Sequence, residues 1–398
     1  MIRQRAPMTK RLPAGVLLLG YMVLVTAVIT LAPFRFARPA VFTLSWLAYP
    51  ADVAANVLLF LPLGFLFRVS APRSVGHVRT VVAACLVSVT FETAQLFLPG
   101  RFASPVDVMS NTLGAGLGSV LHARIAAHLD GRLVRGLALE LPLMVVVYLL
   151  VPLLWLDGFA AGHDGGRLVL SPLLGLAGAI VLAAIWRHRL ADRGVFSPAR
   201  LACITAGWYV VGAAPGLIRR PLLVLGAALL VALMARLEAT RPLPLVPERR
   251  FELATLRRVW PLLAGYLVLS ALWPLHWPPG PWTPATWHGG WGVADLADMP
   301  GITPMLRALE YLAAFSLFGY TVAESWGRRE EGAARRLARL AGASVLSAAA
   351  LEALRGFHPG HGASGLVLLL TTAMSLYGGL IYRVQLAMVR EAVAPRAP

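Results

Sequence analysis

Apolar runs of about 20 residues recur along the whole chain, and nothing else in it constrains the fold as tightly. A helix that crosses a bilayer needs a run of that length. Within lipid, backbone N–H and C=O groups must be satisfied by the protein itself, which leaves helices and closed barrels. The runs here are continuous rather than alternating, so they predict helices. Twelve are placed, at 12–32, 52–70, 78–98, 106–126, 136–156, 168–187, 199–218, 221–237, 258–275, 305–326, 336–355 and 364–386. Of the 398 residues 58% are hydrophobic and only 14% are charged, whereas a soluble domain carries about 25% charged residues. The expected fold is an all-α integral membrane protein with about 12 transmembrane helices. The first run has a basic start, like a signal peptide, but it is long for one, and Pro33-Phe34-Arg35 offers no small-residue cleavage site. It is expected to be a retained helix.

Charge placement sets the expected orientation. A net charge of +17 invites a nucleic-acid reading. The Arg residues, however, stand in short clusters between apolar runs, as the positive-inside rule requires, so nucleic acid is rejected as a partner. With the N-terminus in the cytoplasm, 28 of the 36 Lys and Arg fall on the cytoplasmic side. Outside fall Arg35, Arg38, Arg101, Arg167, Arg219, Arg220, Arg307 and Arg355. This predicts a multi-pass protein of the bacterial cytoplasmic (inner) membrane with both termini cytoplasmic. The pair Arg219-Arg220 violates the rule and leaves open a re-entrant hairpin at 199–237 in place of two full spans. Cys85 and Cys203 both lie in apolar runs, which argues against a disulfide framework and shows no metal-type spacing.

Against this apolar background, Phe91–Val120 is unusually polar, with Glu92, Gln95, Arg101, Asp107 and Asn111. An ionisable residue inside a membrane segment costs about 3 kcal/mol or more, and its presence is a functional hypothesis. Glu92 and Gln95 share one helix face at spacing three, and Asp107 and Asn111 share another at spacing four. Gly114 and Gly118 continue the second face as a GxxxG, which lets another backbone approach. Asp52 and Asn56 open the preceding helix at spacing four. In the expected topology all three faces bring their polar groups to the outer side, with Arg101 in the short connection between two antiparallel helices.

The same pattern recurs near the C-terminus. FETAQLFLPGRFAS at Phe91–Ser104 matches LEALRGFHPGHGAS at Leu351–Ser364, and NVLLFLPLGF at Asn56–Phe65 matches YLAAFSLFGY at Tyr311–Tyr320. Glu92 falls on Glu352, Gln95 on Arg355, Arg101 on His361, Asp107 on Val367 and Asn111 on Thr371. The second copy has thus lost most of its polar positions, which predicts one working site and one structural half.

The first unit resembles the VanZ-like family of membrane proteins. The resemblance rests on Asp52 and Asn56 before FLPLG, on FExxQ at Phe91–Gln95, on Gly100-Arg101 and Asp107, and on NTLGAxxG at Asn111–Gly118. It covers residues 12–128 well and 258–388 weakly. It implies a helical membrane domain, usually of four helices, in a family whose founding member is associated with resistance to the glycopeptide antibiotic teicoplanin. The family has no agreed catalytic residues, so none is carried over. The expected organisation is a VanZ-like unit at 12–128, central helices at 136–237 and a degenerate second unit at 258–388.

Two readings of the polar residues remain open. In one, Arg101 pairs Glu92 or Asp107 and the amides satisfy backbone groups, so the network is closed and structural. In the other, Asp52, Asn56, Glu92, Gln95, Arg101, Asp107 and Asn111 line an outward-facing pocket that binds or moves an envelope amphiphile, a membrane lipid or a lipid-linked or glycopeptide-like ligand. A membrane enzyme using Glu92 and Asp107 on a lipid-linked intermediate ranks below that, since no nucleophile–base pair accompanies them. No cofactor is expected, nor a metal, although His358 and His361 stand at a ligating spacing beside Glu352. Glu310 is expected to pair with Arg307, and Glu140 to sit near the cytoplasmic interface. Trp277, Trp282, Trp287 and Trp291, in the long outer loop at 276–303, are expected to lie against the headgroups.

Overall fold

The structure is a computed structural model that describes residues 14–31, 34, 36–39, 41–47, 49–71, 75–99, 101–128, 141–160, 167–191, 197–242, 251–273, 275, 279–282, 303–326, 332–357 and 365–393. Its helices are α1 (Ala14–Leu31), α2 (Pro50–Ser70), α3 (His77–Gln95), α4 (Pro105–His128), α5 (Leu141–Ala160), α6 (Ser171–Arg189), α7 (Pro198–Gly212), α8 (Ala214–Arg219), α9 (Pro221–Ala239), α10 (Phe251–Leu272), α11 (Thr303–Trp326), α12 (Ala333–Arg355) and α13 (Gly365–Val393). A 3-10 turn, Arg167–Leu170, leads into α6. Among the described residues there is no strand, only one isolated bridge between Leu44 and Ala103.

Each predicted run meets a helix, and the seventh is broken into α7 and α8. Six helices are long and apolar enough to cross a membrane: α2, α5, α6 with its 3-10 turn, α9, α12 and α13. The chain is a helical membrane protein. Polar residues such as Glu92, Asp107, Arg257 and Glu310 dilute α3, α4, α10 and α11. With 15 residues, α7 reaches about 22 Å, short of a hydrocarbon core of about 30 Å. Of the tryptophan-rich loop only Leu275 and residues 279–282 are described; His358, His361, Glu140 and the Arg307 side chain lie outside the described residues.

Local chemistry explains where the elements near the site begin. Pro50 opens α2, where its missing N–H costs nothing. Asp52 in the first turn and Arg68 in the last both suit the helix dipole. Ser104 caps α4, its Oγ accepting from the Asp107 N–H at 3.3 Å.

Packing separates a buried centre from a lipid-facing periphery. In α5 and α6, 72% of the apolar window is buried inside the protein, against 28% in α2 and α12. The α2–α4 pair is held by small residues. Gly64 lies on the Ala115 backbone, Gly114 on Val57 and Gly118 on Leu61, so close that an added methyl would strike main-chain atoms. Near the C-terminus, Gly319 of α11 lies on Ser375 and Gly378 of α13 on Ser316 in the same manner. The two ends share a second contact. The Ala37 N–H donates to the Phe97 carbonyl at 2.8 Å, and the Gly280 N–H to the Phe357 carbonyl at 3.0 Å.

Candidate ligand-binding site

All seven polar residues singled out from the sequence line one cavity of about 790 Å³. Asp52 and Asn56 come from the start of α2, Glu92 and Gln95 from the end of α3, Asp107 and Asn111 from the start of α4, and Arg101 from the connection. The glycine contacts set this geometry. They bring α2 against α4, so that Asn56 and Asp107 line the same cavity. Glu92 is buried, and its Oε2 accepts from the Ser104 N–H at 2.8 Å. The same Ser104 caps α4, so one residue fixes both the carboxylate of α3 and the start of the next helix. Gln95 donates from Nε2 to the Thr30 carbonyl at 3.2 Å, which ties α3 to α1.

Asn111 is 3% exposed. Its Nδ2 donates to Ser88 Oγ at 2.9 Å, while its Oδ1 is buried and has no hydrogen-bond partner among the described residues. Arg101 is exposed, and among the described residues it makes no ion pair. The closed pair of Arg101 with Glu92 or Asp107 is therefore absent from this arrangement. Among the described residues no group of three His, Cys, Asp or Glu is placed to hold a metal ion.

The remaining walls come from parts of the chain that the motifs did not point to. The segment between α1 and α2 contributes Ser45, Leu47 and Tyr49. It is held over the α3–α4 connection by the Ser45 N–H, which donates to the Ala103 carbonyl at 2.9 Å. Trp155, Gly158 and Phe159 of α5 and Pro215, Ile218 and Arg219 of α8 close the opposite side. Gly158 permits this, because an added Cβ there would meet the backbone nitrogen of Gly216 at 2.8 Å. Arg219, half of the pair that violated the positive-inside pattern, thus faces a cavity bearing three carboxylates. The charge anomaly was the available signal for it.

A second polar group lies behind α5, among fully buried side chains. Arg167 pairs with Glu310 at 2.7 Å, and the Tyr266 hydroxyl reaches Glu310 Oε1 at 2.7 Å and Asp157 Oδ1 at 3.0 Å. Glu310 pairs with Arg167, which lies 143 residues away in the chain; the pairing with Arg307 expected from spacing falls on a side chain outside the described residues. Asp157, Arg167 and Tyr266 carry no motif: Asp157 follows the predicted run 136–156, Arg167 precedes the run 168–187, and Tyr266 stands within the run 258–275.

No curated protein and no solved structure matches the chain. A family model does match part of it, and that part supplies α1 to α4 and the seven polar residues singled out from the sequence: residues 16–127 match the VanZ/LLP1 family.

Proposed function

We propose that the cavity takes the polar headgroup of an envelope amphiphile, a membrane lipid or a lipid-linked or glycopeptide-like molecule, at the outer leaflet of a bacterial cytoplasmic membrane. The observation that carries this reading is the convergence of seven polar side chains on one cavity. Asp52, Glu92 and Asp107 offer carboxylates, Arg101 and Arg219 guanidiniums, and Asn56, Gln95 and Asn111 amides, so a headgroup of either or both signs finds partners. Ile29, Leu59, Phe91, Trp155 and Phe159 give the apolar wall along which a chain would leave. In this reading both termini are cytoplasmic, and α10–α13 form a degenerate second VanZ-like unit with a structural role. The paired contacts of Gly64 and Gly319, and of Phe97 and Phe357, support that reading. Tolerance to envelope-active antibiotics, which the resemblance suggests, then follows from binding.

The enzymatic reading is less well supported. The cavity holds Ser45 and Ser104, but among the described residues neither histidine nor lysine lines it. Glu92 is already engaged by the Ser104 backbone.

The test uses purified protein in nanodiscs with fluorescent phosphatidylethanolamine and phosphatidylglycerol as probes. Saturable binding is expected for at least one probe, and it should be lost in Glu92→Gln and Asp107→Asn at unchanged Tm. Equal binding by the variants, or no saturable binding, rejects the proposal. Reporter fusions at Val75 should read cytoplasm, and at Phe102 and Phe357 outside; the opposite pattern would invert the site.

A further inference from the structure

The buried cluster behind α5 poses a question of proton count. The Tyr266 oxygen is within hydrogen-bond distance of both Glu310 Oε1 and Asp157 Oδ1, yet a phenol brings a single hydrogen. It can donate properly to one of them. Glu310 Oε1 also accepts from Arg167 NH2, which marks Glu310 as the ionised carboxylate and the natural acceptor for Tyr266 over the shorter contact. The contact to Asp157 then needs a hydrogen from Asp157 itself, donated to the lone pair of the phenol oxygen.

Charge leads to the same answer. Asp157 and Glu310 are both fully buried, Arg167 is 2% exposed, and the guanidinium neutralises only one carboxylate. Tyr209 of α7, whose hydroxyl is engaged with Ser171 at 2.6 Å, is also near Asp157 and adds no cation there. Among the described residues, a three-centre bond from the one phenol hydrogen would leave two ionised carboxylates against one cation. An uncompensated charge in a membrane interior is expensive, and Asp157 lies in a helix apolar enough to span one.

We propose that this cluster is a proton-binding site, with the proton on Asp157. The chain of donors runs from Asp157 to Tyr266 to Glu310, and Arg167 holds the ionised end. The site joins α5, α10, α11 and the turn before α6. Trp155 and Gly158, two residues before and one after Asp157 on α5, line the cavity, so the helix that carries the proton also forms part of the cavity wall.

Infrared spectroscopy of the full-length protein in lipid at neutral pH tests this. The expected result is a carboxylic-acid C=O band that shifts when aspartate is isotope-labelled and is missing from Asp157→Asn. An amide replaces a protonated acid with little change in shape and still donates to Tyr266. Asp157→Asn should therefore keep its Tm within a few degrees, whereas Glu310→Gln, which strands Arg167, should lose a clearly larger amount. A band that survives Asp157→Asn, a band that shifts only with labelled glutamate, or an Asp157→Asn protein that cannot be purified folded would each overturn the proposal.

Discussion

Glu92 and Glu352 occupy matching positions of the repeat read from the sequence, and both are buried, but their surroundings differ. Glu352 is paired within its own helix by Arg355 at 2.8 Å, and that guanidinium sits 5.6 Å from the Tyr311 ring centroid. The first unit has Gln95 and Asn56 at the positions of Arg355 and Tyr311. Gln95 turns to a backbone carbonyl and Asn56 lines the cavity, so Glu92 is left with a backbone N–H and an open cavity. A counter-charge one turn away closes a polar site. An amide in its place keeps the site open and demands that something else answer the charge.

The comparison can be broken at its scaffold first. Gly64→Val and Gly319→Val each drive a side chain into a helix backbone. Overpacking typically costs about 1–3 kcal/mol and sometimes more, so both variants should purify poorly with the lowest Tm of any single change. Damage from Gly64→Val alone would show that the two helix pairs are not equivalent.

Gln95→Arg transplants the closing residue of the second unit. It should weaken lipid-probe binding at least tenfold, about 1.4 kcal/mol, without lowering Tm. Undiminished affinity would remove Arg355 as the reason for the difference.

Glu92→Gln should abolish binding, while Glu352→Gln should leave it intact and cost about 1.5–3 kcal/mol of stability through the lost charged hydrogen bond. Equal loss of binding in both, with both proteins inserted, would make the second unit functional. The smallest effect on stability belongs to Arg101→Leu. An exposed residue without an ion pair should change stability by no more than about 0.5 kcal/mol, yet weaken binding of an anionic probe. Its combination with Asp107→Leu should remain stable and inactive, and a fully active double variant would sink the pocket.

The helices were legible because each reports itself through a local run of apolar residues. The seven polar residues were legible for a related reason. Spacings of three and four place Glu92 with Gln95, and Asp107 with Asn111, on single faces, and the short connection brings those faces together. Trp155, Phe159 and Arg219 were not legible as cavity walls, because α5 and α8 meet the first unit only in space. Local spacing suggested Arg307 for Glu310 but gave no hint of Arg167, the buried partner that comes from a distant turn. In an apolar interior a lone charge takes whatever counter-charge the fold delivers, and sequence distance does not limit that choice. Arg219-Arg220, the pair that left a re-entrant hairpin at 199–237 open, stands at the end of α8, the short helix that completes the cavity wall.

The shared ownership of the cavity has a consequence for assembly. Residues 16–127 supply its polar residues, but Trp155, Gly158, Phe159, Pro215, Ile218 and Arg219 supply its far side. A chain ending near residue 128 would hold the same carboxylates and amides in a trough open along one flank to the bilayer. There, acyl chains or another protein would have to stand where α5 and α8 stand. By building that flank into the same polypeptide, this chain makes the enclosure independent of which lipids surround it.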